Sequence, residues 1–334
     1  MNPRIRQPLV VVIGHVDHGK TKLLDTIRGT AIGAGEKGGI TQTIGASALP
    51  LSVLKKICGN LLDLTKKEIT IPGLLFIDSP GHAAFTNLRK RGGNIANIAI
   101  LVVDINEGFK PQTIESIDIL KQYRTPFVVA ANKIDLISGW KSNPDITLLK
   151  SIADQPPGVQ ETLSTKLYEL VGALHEKGFG SERFDRIEDY TKQVALVPCS
   201  AKTREGIPEL LMVLVGLAQR FLQGKLTCDE QGFAKGTILE VKDERGLGKT
   251  LDVILYDGCL KKNDVIVIGG VDQPVVTKVR ALFVPAPLSD TRDKKSKYTQ
   301  VNEIAAATGI KIIAPDIDAV VSGMPLRSTD SSHL

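Results

Sequence analysis

Five consecutive apolar residues, Leu9-Val10-Val11-Val12-Ile13, run without a break into Gly14-His15-Val16-Asp17-His18-Gly19-Lys20-Thr21. A strand that is apolar on both faces needs cover on both faces, which layered α/β architectures supply. The loop after it has a glycine, four residues and then Gly19-Lys20-Thr21, the spacing of the phosphate-binding loop of nucleoside triphosphatases. In such a loop successive backbone N–H groups wrap the β-phosphate and Lys20 adds a point charge. Thr21 offers a hydroxyl to Mg²⁺ at the start of a helix whose dipole favours anions. Leu23, Leu24 and Ile27 lie on one face of that helix, and Gly29 is expected to end it. A second Gly-Lys-Thr at 248–250 lacks the first glycine, Asp243 standing in its place. Leu251–Leu255 reads as a strand, so this copy is expected to be a loop between strands.

Residues 1 to about 222 alternate short apolar runs with helical segments. Leu9–Ile13, Leu74–Ile77, Ile98–Val103, Phe127–Ala131 and Val194–Val197 have the composition of buried parallel strands. The fold class is α/β, a doubly wound and mostly parallel sheet with ligands expected at the carboxyl ends of its strands. Three further motifs stand at such ends. Asp78-Ser79-Pro80-Gly81-His82 follows Leu74–Ile77: the Asp78 carboxylate is placed to hold a water on Mg²⁺, and the Gly81 N–H to meet a γ-phosphate. His82, at the edge of the phosphate site, is the candidate for orienting the attacking water or stabilising transition-state charge. In Asn132-Lys133-Ile134-Asp135, the Asp135 carboxylate matches the N1–H and 2-amino donors of guanine, which adenine lacks. Ser200-Ala201-Lys202 supplies a backbone donor for the guanine 6-oxo group. The nucleotides expected are therefore GTP and GDP.

Gly38–Gly45 is glycine-rich and lies between the first helix and the Asp78 strand, so Thr41 within it is a candidate third contact to Mg²⁺. Three of the five histidines fall in phosphate motifs, without the clustered spacing of a zinc site. His15 and His18 read as structural groups or donors around the loop. Asp17 is unusual beside phosphate, and a monovalent cation bound there would relieve the repulsion.

The stretch Trp140–Tyr190 interrupts the alternation. Val159, Leu163, Leu167, Val171 and Leu174 recur within it at helical spacing, the pattern of an amphipathic helix docked on the domain. After Gln223-Gly224-Lys225 the pattern changes. Gly236–Val241, Leu251–Tyr256, Val265–Ile268 and Val275–Val284 read as strands, separated by turns such as Asp257-Gly258 and Gly269-Gly270. That spacing suggests a small antiparallel β-barrel. The expected division is residues 1–224 and 225–334. The longest apolar run, Ile98–Val103, cannot span a bilayer, and the first residues lack the apolar core of a signal peptide. Four scattered cysteines without a CxxC pair point to a reducing cytoplasm. The net charge of +5 permits a nucleic-acid or ribosomal partner without demanding one.

With these motifs in view, the chain resembles the translational GTPases. More narrowly, AGEKGGITQTIGASALP, DSPGHAAFTNLRKRGGNIANIAILVVDINEGFKPQTIESI and LDVILYDGCLKKNDVIVIGG resemble the subunit-joining translation initiation factor, the archaeal and eukaryotic relative of bacterial initiation factor two. The similarity extends to about Leu326. The long Leu49–Ile71 segment favours the archaeal–eukaryotic branch, and the lack of a low-complexity extension favours archaea. The resemblance implies a Ras-like G domain followed by a barrel, GTP and Mg²⁺ binding, and hydrolysis stimulated by the large ribosomal subunit. Its motif residues fall on Asp17, His18, Gly19, Lys20, Thr21, Thr41, Asp78, Gly81, His82, Asn132, Lys133, Asp135, Ser200, Ala201 and Lys202. It also implies contact with the ribosomal stalk protein, a monomer, and initiator-tRNA binding only through domains that do not follow in this sequence. Ser79 stands where the family usually has threonine. The alternatives are a tRNA-delivering elongation factor, which shares GHVDHGKT, a metabolic GTPase and a non-hydrolysing nucleotide-gated scaffold.

Overall fold

A computed structural model describes residues 4–33, 41–43, 46–65, 68–77, 97–222, 226–229, 232–244, 246–270, 273–285 and 298–330. The chain opens with a two-residue strand, β1 (Arg4–Ile5), and then enters β2 (Leu9–Gly14), all of whose residues are buried. Around β2 stand β3 (Thr41–Thr43), β4 (Ala46–Pro50), β5 (Gly73–Ile77), β6 (Ile98–Asp104), β7 (Phe127–Asn132), β8 (Gly180–Arg183) and β9 (Gln193–Pro198). The sheet order is β3-β4-β5-β2-β6-β7-β9-β8. Strands β5, β2, β6, β7, β9 and β8 run parallel, and β3 and β4 add an antiparallel hairpin at one edge. Helices α1 (Lys20–Gly33), α2 (Leu51–Cys58), α3 (Pro111–Gln122), α4 (Leu148–Ala153), α5 (Pro157–Glu176) and α6 (Ile207–Leu222) complete the unit, which shares one core with the sheet.

The apolar runs read from the sequence are the sheet's strands, and three local expectations change. Helix α1 does not stop at Gly29. It continues to Gly33, because Ala31 is fully buried against the core and Thr30 bonds back to the Thr26 carbonyl at 2.8 Å. Within α5, Leu170 rather than Val171 lies on the buried stripe, because Val171 turns to the partly covered flank. The Trp140–Tyr190 stretch also contributes β8, which pairs with β9 at the sheet's edge. Its sequence, Gly-Ser-Glu-Arg, carries none of the apolar signal by which the other strands announce themselves.

The second half is strand after strand: β10 (Thr227–Cys228), β11 (Lys235–Glu244), β12 (Gly248–Asp257), β13 (Cys259–Lys261), β14 (Val265–Ile268) and β15 (Val275–Lys278), then β16 (Ala281–Pro285), β17 (Tyr298–Val301), β18 (Glu303–Ala305), β19 (Thr308–Ile313) and β20 (Pro325–Thr329). Eight of them form an antiparallel sheet in the order β15-β14-β20-β11-β12-β19-β16-β17, curled in barrel fashion around its own core. The expected strand over Val275–Val284 is two strands meeting at a corner. Val279 still exchanges hydrogen bonds with the Asn263–Asp264 turn, whereas the Arg280 N–H already bonds Ile313 of the next neighbour. Gly248-Lys249-Thr250 opens β12 instead of forming a loop, with Thr250 buried, so it holds no phosphate cradle.

One buried charged cluster interrupts this apolar sheet. The Lys311 ammonium is fully covered and lies 2.7 Å from both Asp252 and Glu244, with the Tyr298 ring 5.3 Å away. Burial opposes its charge, and the two carboxylates outweigh that, raising its pKa above the ordinary lysine range.

The two halves touch along β2, β4 and β5. Leu9, Ala46, Leu75 and Ile77 pack against Leu239 and Ile254, with Tyr256 and Ala307 at the margin. Strand β1 pairs with β10, and the Arg6 guanidinium bonds the Asn97 side chain at 3.1 Å. No helix among the described residues is long and apolar enough to cross a membrane.

Candidate nucleotide site

At the carboxyl end of β2 the chain must turn sharply without leaving the sheet. Gly14 makes this possible: at φ 137° its α-carbon faces the Val102 backbone of β6 so closely that a β-carbon would collide with the carbonyl. A single 3-10 turn, Val16–His18, follows, and Gly19 at φ 92° starts α1. A β-carbon on Gly19 would lie 2.6 Å from the Asn132 amide nitrogen. The two glycines of the motif are thus fixed by different neighbours, one by the Val102 backbone of β6 and one by the Asn132 side chain at the end of β7.

The loop is held in a cradle. Lys20 Nζ donates to the carbonyls of Gly14 at 2.9 Å and His15 at 2.6 Å, which bends its ammonium back across the loop's mouth. Burial pushes its pKa below the ordinary lysine range, and Asp17 opposes that shift. An ammonium so placed gains from an anion. The first hydrogen bond of α1 runs from Leu23 N–H to Gly19 C=O, leaving the N–H groups of the preceding residues at the helix N-terminus. Thr21 stands exposed in that first turn and Asp17 is exposed on the loop. His18 is fully buried, with Nε2 3.9 Å from Glu107. Burial lowers its pKa, so it is a neutral packing group at neutral pH. Among the described residues no three His, Cys, Asp or Glu side chains are grouped to hold a metal ion.

The Asn132–Asp135 and Ser200–Lys202 motifs converge on the same edge because β7 and β9 are sheet neighbours. Asn132 joins three segments: its Nδ2 donates to the His18 carbonyl at 2.9 Å, and its Oδ1 accepts the Ala201 N–H at 2.9 Å. Asp135 accepts a 2.6 Å bond from the Ser200 hydroxyl, which also receives the N–H groups of Lys202 and Thr203. Lys133 adopts the left-handed conformation at φ 68°, and its Nζ meets the buried Asp104 carboxylate at 2.8 Å. Burial would raise Asp104, but Lys133 and the Asn106 N–H outweigh it and hold the carboxyl below its usual range. Thr26 ties α1 to the Ala201 carbonyl at 2.5 Å.

Asp17 through Thr21, Asn132, Lys133, Asp135 and Ser200 through Lys202 therefore share one rim. Asp78, Gly81 and His82 lie outside the described residues. Thr41 is not at the rim. It pairs with Ala48, Ala48 with Leu75, and Leu75 with Leu9, five residues before Gly14. At a strand rise of about 3.3 Å per residue, Thr41 sits roughly 17 Å below the loop. Sequence reasoning missed Asp104, Thr26 and Gln112, whose side chain receives the Val16 N–H at 3.2 Å. Asp104 left a trace, an acid closing an otherwise apolar run, and its register partner is Asn132.

Residues 6–220 match the family described as Elongation factor Tu GTP binding domain. The chain is 59% identical over 326 residues to a probable translation initiation factor IF-2 of Methanopyrus kandleri, covering 98% of this chain and 54% of that protein. A probable translation initiation factor IF-2 of Thermococcus sibiricus is 55% identical over 97% of this chain and 54% of its own length. The crystal structure of GDP-bound aIF5B from Aeropyrum pernix superposes with a TM-score of 0.93 at 53% identity, covering 99% of this chain and 55% of that one. The chain thus spans about half the length of the curated relatives it matches. With its glycine-bracketed loop, parallel sheet and barrel in the arrangement described, the chain belongs to the family of the Elongation factor Tu GTP binding domain, and along nearly its whole length it is similar to the archaeal initiation factors IF-2 and aIF5B.

Proposed function

We propose that this chain binds GTP and GDP and hydrolyses GTP as part of a translation initiation factor that promotes joining of the ribosomal subunits, with hydrolysis stimulated by the large subunit. The observation that carries the nucleotide reading is the pair of hydrogen bonds made by the Asn132 side chain, which fasten the phosphate loop at His18 to the base loop at Ala201. One asparagine sets the distance between the two ends of the ligand. The initiation role rests on the similarity to the IF-2 and aIF5B proteins. The alternative, another GTPase of the same superfamily, has weaker support: the likeness to the elongation factor SelB of Methanococcus maripaludis is 22% identical with a TM-score of 0.59, and speaks for the fold alone.

The residues that would hold Mg²⁺ are Thr21, Thr41 and, through a water, Asp78. When bound, the ion neutralises charge on the β- and γ-phosphate oxygens. The exposed Thr21 hydroxyl beside the Lys20 ammonium fits that role. Thr41 reaches the site only when β3 leaves β4. Because β3 also lies against β16 and β19, such a departure loosens its hold on the barrel. The exposed Asp17 is the proposed neighbour of a monovalent cation. The nucleotide unit is proposed to end near 224 and the barrel to occupy 225–334. Its partners are the large subunit and its stalk protein, met as a monomer in the cytoplasm, with initiator tRNA bound by parts of the full-length factor outside this chain.

Multiple-turnover GTP hydrolysis with and without large ribosomal subunits tests this reading. Turnover should be slow alone and rise with subunits. His82→Ala should keep GTP affinity within a few-fold and lower the stimulated rate by ~10²-fold, the scale of a positioned proton-handling group. A variant as fast as the parent on ribosomes would remove the catalytic role of His82.

A further inference from the structure

The Glu205 carboxylate is 3% exposed and carries no part of the nucleotide reading above. Its two oxygens face opposite ways. Oε2 accepts the Thr203 hydroxyl at 2.7 Å, from the loop that presents Ser200 to Asp135, and the Trp140 indole N–H at 3.3 Å. Oε1 accepts the Asn143 N–H at 3.0 Å and the Ser151 hydroxyl at 2.8 Å, both from the stretch that interrupts the α/β alternation. Gln155 braces the same stretch, accepting the Lys141 N–H and donating to the carbonyls of Lys141 and Ser151. On the loop side, the Glu205 carbonyl receives the Ser200 N–H at 2.9 Å, and Ser200 in turn bonds Asp135 at 2.6 Å. So many donors around one buried carboxylate make a network in which losing one bond leaves a charge under-solvated.

We propose that Glu205 is a positioning residue for guanine recognition: its carboxylate fixes the Ser200–Thr203 loop against Asp135 and ties that loop to Trp140 and the 140–155 segment, so that base occupancy and the surroundings of Trp140 change together. The inference rests on the guanine reading of Asp135 and Ser200. Burial alone would raise the Glu205 carboxyl, whereas the Asn143 N–H and the hydroxyls of Thr203, Ser151 and Ser142 outweigh it and hold it ionised. Ionisation matters because only a carboxylate accepts at both ends. Glutamine must point an N–H₂ either at the Trp140 indole N–H or at the Asn143 N–H, donor against donor.

Trp140 is the chain's single tryptophan, so its emission reports this network alone. The test compares the parent, Thr203→Val and Glu205→Gln. It measures Trp140 fluorescence during titration with GDP, and the affinities for GDP and for inosine diphosphate, which lacks the 2-amino group read by Asp135. Thr203→Val removes one hydroxyl from a half-buried position and keeps the side-chain shape, so it remains informative if Glu205→Gln folds poorly. In the parent, GDP should shift the emission. In Thr203→Val the shift should be lost, GDP should bind ~10-fold more weakly, and the preference for GDP over inosine diphosphate should fall by a similar factor, the scale of a displaced charged hydrogen bond. A merely structural carboxylate would lower thermal stability without altering that preference. If Thr203→Val keeps the parent's preference and fluorescence response, the positioning role is wrong. If the parent itself binds no GDP, the guanine reading falls and this inference with it.

Discussion

Xanthosine diphosphate should replace GDP as the preferred ligand of Asp135→Asn. One oxygen of Asp135 is occupied by the Ser200 hydroxyl at 2.6 Å, and the Asn132 scaffold around it is independent of the residue's charge. Asparagine keeps the acceptor toward Ser200 and turns its N–H₂ toward the base. There it opposes the N–H and 2-amino donors of guanine and complements the 2-oxo acceptor of xanthine. A misplaced donor leaves buried groups unpaired, so GDP affinity should fall by ~10²-fold or more at ~1.4 kcal/mol per tenfold. Competition between labelled GDP and xanthosine diphosphate on the parent and the variant measures it. An unchanged GDP affinity in Asp135→Asn would withdraw the base-reading assignment.

Lys20→Ala should remove nucleotide binding while sparing the fold. Without an anion the Lys20 ammonium is satisfied by two carbonyls, and burial already pushes its pKa down, so the empty loop loses little when the charge is deleted. With phosphate present the same ammonium makes charge-assisted bonds, and their loss should weaken GDP and GTP by ~10²–10³-fold. Calorimetric titration gives the affinity and differential scanning the stability. The nucleotide-free variant should melt within about 3 °C of the parent, the scale of one net hydrogen bond in a chain this size. A much larger drop would mark Lys20 as a structural residue.

Most of the sheet was legible because its strands are buried on both faces and read as unbroken apolar runs. Strand β8 was not, since an edge strand of Gly-Ser-Glu-Arg owes its conformation to β9 and not to its own pattern. Gly29 misled for a related reason: a local stop signal yields when the next turn buries Ala31. In the site, the loop, Asn132-Lys133-Ile134-Asp135 and Ser200-Ala201-Lys202 could be found by spacing and by position at strand ends. What spacing could not supply is who touches whom. The two hydrogen bonds of the Asn132 side chain and the pairing of Lys133 with Asp104 arise where strand ends distant in sequence meet, and the donors on Glu205 arise where the 140–151 segment packs against the Ser200–Glu205 loop. Thr41 shows the complementary limit. Its residue type suits Mg²⁺, yet its hairpin places it level with Leu9, and only a change of strand pairing moves it to the rim.

The central claim is that the strand ends from Gly14 to Lys202 form one guanine-nucleotide site, and titration of the unmodified chain with GDP and with ADP in the presence of Mg²⁺ tests it most directly. A single GDP site at least ~10²-fold tighter than ADP is expected, because adenine lacks the N1–H and 2-amino donors that Asp135 would meet. Equal affinities for the two nucleotides, or no saturable binding of GDP, would contradict it.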